Sequence, residues 1–190
     1  MKTLVLAVIS MLLVSCQKAP SIDKVDMNER YSFAINKLGT AKTEIERFYA
    51  LNSAAKEAFN VGKVEDARKY AEEQSGLKEK YKKDWNYGNA VHDVNVVLGR
   101  IALQEGDTSK AGEYLLKAGD TPGSPQLDSF GPNMTLARDL LQKGEKEPVL
   151  LYFKKCSRFW KGESNVKKLT EWTKTAEAGQ IPDFSGNLFY

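Results

Sequence analysis

Residues 95–122 read NVVLGRIALQEGDTSKAGEYLLKAGDTP, and this stretch decides the fold. Val94, Leu98, Ile101 and Ala102 fall at helical intervals before Gly106, and Ala111, Tyr114, Leu115 and Ala118 do the same after it. Each set is the i, i+3, i+4 stripe of an amphipathic helix. With glycine at the turn, the stretch predicts two antiparallel helices. A hairpin this small buries too little apolar surface to stand alone, so it requires neighbours on both sides.

The same pattern continues outward in both directions. Toward the N-terminus, Thr43 and Glu46 have capping-box spacing ahead of Ile45, Phe48, Ala55 and Phe59. Gly62 ends that helix. Residues 63–85 then predict a long return helix with Val64, Ala67, Ala71, Leu77 and Tyr81 inward, weakened in the middle by Gly76. A first helix is expected from Ile22 or Asn28 to Leu38, with Gly39 as its left-handed stop.

Toward the C-terminus, residues 119–132 (GDTPGSPQLDSFGP) are rich enough in glycine and proline to exclude one uninterrupted helix. Pro132 fits the first turn of a helix through Met134, Leu136, Ala137, Leu140 and Leu141 to Gly144, and Pro148 that of a return helix to Trp160. Ser164 or Asn165 can cap a last helix bearing Val166, Leu169, Trp172 and Ala176, stopped by Gly179. The tail 181–190, IPDFSGNLFY, is apolar and aromatic without helical period, unlike a disordered tail, and is expected to dock on the last helices.

No stretch alternates with a period of two. The turn glycines Gly62, Gly106 and Gly144 recur 44 and 38 residues apart, a self-similarity that marks stacked helical hairpins. The expectation is an all-α chain: a solenoid of antiparallel hairpins over residues 22–180, with roughly seven to eight helices and a non-helical tail.

The first residues carry an address. Met1-Lys2 is a basic start, Leu4 to Val14 a short apolar core, and Leu13-Val14-Ser15-Cys16 places a small residue before cysteine. The apolar run is too short to cross a bilayer as a helix. The Leu-Val-Ser-Cys ending resembles the lipobox of bacterial lipoproteins. That resemblance implies a signal peptide over residues 1–15, cleavage before Cys16, acylation of Cys16, and a lipidated tether over residues 16–21. Gln17, where an aspartate would hold many such proteins in the inner membrane, favours the outer membrane. An acylated Cys16 leaves Cys156 as the one thiol, so no intrachain disulfide is possible. Of the 28 basic residues one, Lys2, lies in the leader, and 25 acidic residues oppose the rest. Near-neutral charge gives no whole-domain basis for binding nucleic acid.

The central hairpin resembles a tetratricopeptide repeat. Leu98-Gly99 matches its close-packing pair, Gly106 its turn, Ala111, Leu115 and Ala118 its second-helix positions, and Pro122 its exit. Ala55, Gly62, Ala67 and Ala71 match in the preceding unit, and Leu136-Ala137, Gly144 and Phe153 in the following one. The departures are Val149 and Cys156 in place of alanines, Asn95 and Asn133 where the first-helix tryptophan belongs, and spacings longer than the usual ~34 residues. The resemblance spans residues 41–160 and implies a concave groove, lined by first helices, that binds a peptide or protein.

On those helices Asn52, Lys56, Asn89, His92, Asn95, Asn133 and Arg138 are the candidate groove residues, above all Asn52, Lys56, Asn95, Asn133 and Arg138. Asparagine and arginine can hydrogen-bond an extended backbone or a carboxylate. His92 is the single histidine, which excludes a histidine-based metal cluster, and no cofactor motif is present. Neighbouring His92 and Asp93 are expected to diverge on a helix, and Cys156 occupies a small-residue packing position. The expectation is therefore a binding or assembly module of the bacterial cell envelope rather than an enzyme, its partner an envelope protein or peptide. Two alternatives remain open. An envelope-polymer hydrolase would need an acidic pair in a deep pocket. A binder of anionic lipid or lipopolysaccharide would use Lys154, Lys155, Arg158, Lys161, Lys167, Lys168 and Lys174 with Phe153, Phe159, Trp160 and Trp172.

Overall fold

The computed structural model describes residues 22–188, with side chains from Met27 onward. The signal peptide, Cys16 and the whole of the tether expected over residues 16–21 lie outside the described residues. Among those described, nine α-helices and no strand are present. They are α1 (Ile22–Gly39), α2 (Glu44–Asn60), α3 (Val64–Leu77), α4 (Tyr87–Gln104), α5 (Thr108–Gly119), α6 (Pro125–Phe130), α7 (Thr135–Gln142), α8 (Lys146–Cys156) and α9 (Glu163–Glu177). The pairs α2/α3, α4/α5 and α7/α8 are antiparallel hairpins stacked as a solenoid, with α1 packed on α2 and α9 on α8. The first helices α2, α4 and α7 lie side by side, as do α5 and α8 among the second helices.

One turn chemistry builds all three hairpins. Gly62, Gly106 and Gly144 have φ of 81°, 89° and 83°, the left-handed conformation that costs glycine nothing. The next amide then reaches back to a helix carbonyl, Lys63 N to Ala58 O (2.8 Å), Asp107 N to Ala102 O (2.9 Å) and Glu145 N to Leu140 O (3.0 Å). These are Schellman closures that satisfy the last turn of each first helix. At the start of α2, Thr43 and Glu46 form the full capping box. Gly99 explains how the hairpins nest: a Cβ there would collide with Leu136 Cδ2 of α7. Without one, α4 and α7 can approach closely.

Several boundaries differ from expectation. α1 ends without a left-handed glycine: the Thr40 amide and hydroxyl both donate to Asn36 O (2.9 Å each) and satisfy its end. α3 stops at Leu77, just past Gly76, and the chain continues as a 3-10 turn over Lys78–Tyr81. Within residues 119–132 the chain forms the short α6, where Ser124 Oγ accepts from Leu127 N (3.0 Å) and Pro125 opens the helix. Pro132 lies ahead of α7 instead of inside its first turn; Asn133 Oδ1 accepts from Thr135 N (2.9 Å) there. α8 ends at Cys156, short of Trp160. α9 starts after Gly162 with no side-chain cap from Ser164 or Asn165.

The core has a large aromatic cluster in α5, α7, α8 and α9 and two smaller, alanine-rich clusters around α2, α3 and α4. Phe184 of the tail sits edge-on to Trp172 (5.0 Å between centroids) and Phe153 (6.1 Å), and Trp172 Nε1 donates to Asp183 O (3.0 Å). A 3-10 turn, Ser185–Leu188, follows, pinned by Asn187 Nδ2 to Pro132 O (3.0 Å) and Met134 N to Asn187 O (2.8 Å).

Candidate functional site

Two adjoining cavities, of about 280 and 380 Å³, run along the inner helices. Both are lined by Lys56 of α2 and Asp93 of α4. The first lies toward the C-terminal half of α4, between α1, α2, α7 and Leu188 of the tail, and carries four cationic side chains: Arg30, Lys56, Arg100 and Arg138. The second lies toward the N-terminal half of α4 and is lined by the amides of Asn52, Asn89 and Gln126 together with Leu127 and Phe130 of α6.

The floor is a buried polar chain. His92 is 0 % exposed, with Nδ1 2.6 Å from Asp93 Oδ1 and Nε2 2.9 Å from the Tyr152 hydroxyl. That hydroxyl donates to Asn133 O (3.0 Å), so α4, α8 and the start of α7 are joined through one ring. This corrects the expectation that His92 and Asp93 diverge. The imidazole is fully buried, so both ring nitrogens need partners, and the adjacent carboxylate serves one while the Tyr152 hydroxyl serves the other. Burial pushes the Asp93 carboxyl upward, but the His92 hydrogen bond, the Lys56 charge and an Asn52 Nδ2 bond (2.8 Å) outweigh it and hold it below the ordinary carboxylate value.

The cations of the first cavity share few acceptors. Arg100 Nε and Arg138 Nη2 both donate to Asp139, at 3.0 and 2.9 Å, and Arg30 pairs with Glu57 at 2.7 Å. Arg100 also lies over the Phe59 ring (4.5 Å) and donates to Asn60 Oδ1 (3.3 Å). Burial pulls the Arg100 guanidinium below its ordinary value, with Asp139 only partly restoring it. Lys56 forms no ion pair among the described residues.

The sequence candidates separate into two groups. Asn52, Lys56, Asn133 and Arg138 line the cavities. Asn52 Oδ1 is buried and makes no hydrogen bond among the described residues. Asn89 also lines the second cavity, but its amide is taken by Asn86, Gln126 and the Ser124 hydroxyl. Asn95 lines neither cavity. Its Nδ2 returns to Val91 O of its own helix (2.7 Å), and it is buried. Cys16 lies outside the described residues. Sequence reasoning missed Arg30, Arg100 and Leu188; Arg100 was accessible from the second stripe on α4, Asp93, Val96, Val97 and Arg100, opposite the one that packs on α5.

Elsewhere, Cys156 is fully buried and burial pushes its thiol far up, and no hydrogen bond joins it to His92. Phe153, Phe159, Trp160 and Trp172 of the basic C-terminal stretch are buried, so its surface is lysine without aromatic rings. Among the described residues no group of histidine, cysteine and carboxylates could hold a metal, and no helix is long and apolar enough to cross a membrane. Compared with family models, with curated proteins and with solved structures, the chain matches none of them.

Proposed function

We propose that this chain is a binding or assembly module of the bacterial cell envelope, held at the membrane through lipid on Cys16, that takes an extended protein or peptide segment in the groove over α2, α4 and α7. The Leu-Val-Ser-Cys leader carries the membrane part of the reading, and Gln17 favours the outer membrane. The observation that carries the binding part is the pair of adjoining cavities along the first helices, lined by amides and cations with apolar rims. Ligand sites are concave, largely apolar and marked by a few convergent polar groups. Asn52 Oδ1 adds to this. A buried acceptor without a partner costs on the order of 1–3 kcal/mol, and a backbone N–H laid along the groove would offset that. The hydrolase alternative draws no support from the groove carboxylate, since Asp93 is already engaged by His92 and Asn52.

The test is a photoreactive residue placed in the full-length, lipidated protein in intact cells. Phe130, 67 % exposed at the rim of the second cavity, is one site and Val166, exposed on α9, is the control. The expected result is an adduct from position 130, mapped to one contiguous segment of an envelope protein and absent from position 166. Equal labelling at both positions, or none at 130, rejects the groove.

A further inference from the structure

We propose that the first cavity is a subsite for a single carboxylate, supplied by an acidic side chain of the bound segment; the inference rests on the groove reading above. Hydrogen-bond supply in this cavity exceeds demand. A guanidinium carries five N–H donors and no acceptor. Arg138 spends Nε and Nη2 on Asp139 and leaves Nη1 without a partner among the described residues. Arg100 spends Nε on Asp139 and Nη1 on Asn60, leaving Nη2. Arg30 spends only Nη2, on Glu57. The carboxylates are by contrast engaged on both oxygens: Glu57 also accepts from Asn60 (3.1 Å), Asp139 serves two arginines, and Asp93 serves His92 and Asn52.

Charge gives the same answer. Among the Arg, Lys, Asp and Glu side chains at the cavity, Arg30, Lys56, Arg100 and Arg138 stand against Glu57, Asp93 and Asp139, a surplus of one positive charge. One carboxylate neutralises it, whereas a doubly charged phosphate overshoots. Phe59, Val96 and Leu188 in the walls suit the methylene stem of a glutamate. Apolar walls beside a charge also strengthen each charge-assisted hydrogen bond.

The experiment uses the full mature chain with its arginine side chains isotope-labelled. Two capped pentapeptides, Ala-Leu-Glu-Leu-Ala and its Gln counterpart, are titrated while the Nε–H resonances of Arg100 and Arg138 are followed. The Glu peptide is expected to bind about tenfold more tightly, as charge-assisted bonds require, and to shift both resonances. Lys56→Gln and Arg138→Gln are each expected to reduce it to the level of the Gln peptide, with unchanged helical circular dichroism as the folding control. Equal binding of the two peptides, both competing with labelling at position 130, overturns the subsite and leaves the groove reading standing. Acetate is the third probe. Failure of acetate to move either arginine resonance overturns the subsite whatever the peptides do. Acetate shifts without binding of either peptide overturn a side chain of a bound segment as the source of the carboxylate.

Discussion

In α2 and α3 the buried positions are mostly alanine, Ala50, Ala54, Ala55, Ala58, Ala67 and Ala71, with Phe48 the single buried ring. In α8, α9 and the tail they include four rings, Tyr152, Phe153, Trp172 and Phe184, beside Val149, Cys156, Leu169 and Ala176, and Trp160 stacks on Trp172 at 5.8 Å. Alanines let helices approach closely but each removes little apolar surface from water, whereas a buried ring removes several times as much and adds about 0.5–1.5 kcal/mol per aromatic pair. The N-terminal half supplements its thin core with ion pairs such as Arg47–Glu73 and Arg68–Glu105, which are half-exposed and therefore weak. The groove draws one wall from each half: α1 and α2 from the alanine-rich side, α7 and the tail from the aromatic side.

Trp172→Ala should break this contrast most visibly. It removes the stack on Trp160, the edge contact with Phe184 and the bond to Asp183 O, and should cost about 3–5 kcal/mol in denaturant melts. Amide exchange should accelerate first in α8, α9 and 181–188. Equal acceleration in α2 and α3 would mean that the two halves form one cooperative unit and that the contrast has no energetic content.

A smaller effect is expected from Thr43→Ala, which deletes the capping box of α2 and should cost about 1 kcal/mol. Its exchange signature should stay within the first hairpin, and Thr43→Ser should restore stability. Spread of the effect into α8 would again argue for a single unit.

Acid should sharpen the comparison by the least. The Arg47 hydrogen bond holds the Glu73 carboxyl below its ordinary value, and the Lys155 hydrogen bond does the same for Asp120. A folded-state value below the unfolded one stabilises the fold above the ordinary carboxylate range, and that stability is lost as pH falls through the depressed value. Melts from about pH 5 to about pH 2 should therefore show a modest decline. Arg47→Gln should remove the share owed to Glu73 and leave the parts owed to Asp120, Asp93 and Glu44. An unchanged acid profile in that variant would show that the Arg47–Glu73 pair contributes nothing measurable.

Much of the architecture was legible. The Thr43 box, the turn glycines and the stripes of α4 and α5 are local patterns, and local hydrogen bonds enforce them. Boundaries failed where a competing group a few residues away took over, as with the Thr40 hydroxyl at the end of α1 and Asn133 ahead of α7. The site was harder to read. Asn95 had the right type and helix but turned to Val91 O, while Arg30 and Arg100 carried no motif.

By itself the sequence determined that the chain is helical, where its hairpins turn and which face of each helix is apolar. Helical periodicity, capping residues and glycine conformation act over a few residues, so they can be read without knowing what lies opposite. Only the tertiary structure decided that His92 bridges Asp93 and Tyr152, that four cations from α1, α2, α4 and α7 converge on one cavity, and that Leu188 closes its rim. Apart from the adjacent His92 and Asp93, those partners lie far apart along the chain. Stacking the hairpins brings them together, and the geometry of that stacking follows from small-residue contacts such as Gly99 against Leu136, which no single helix records.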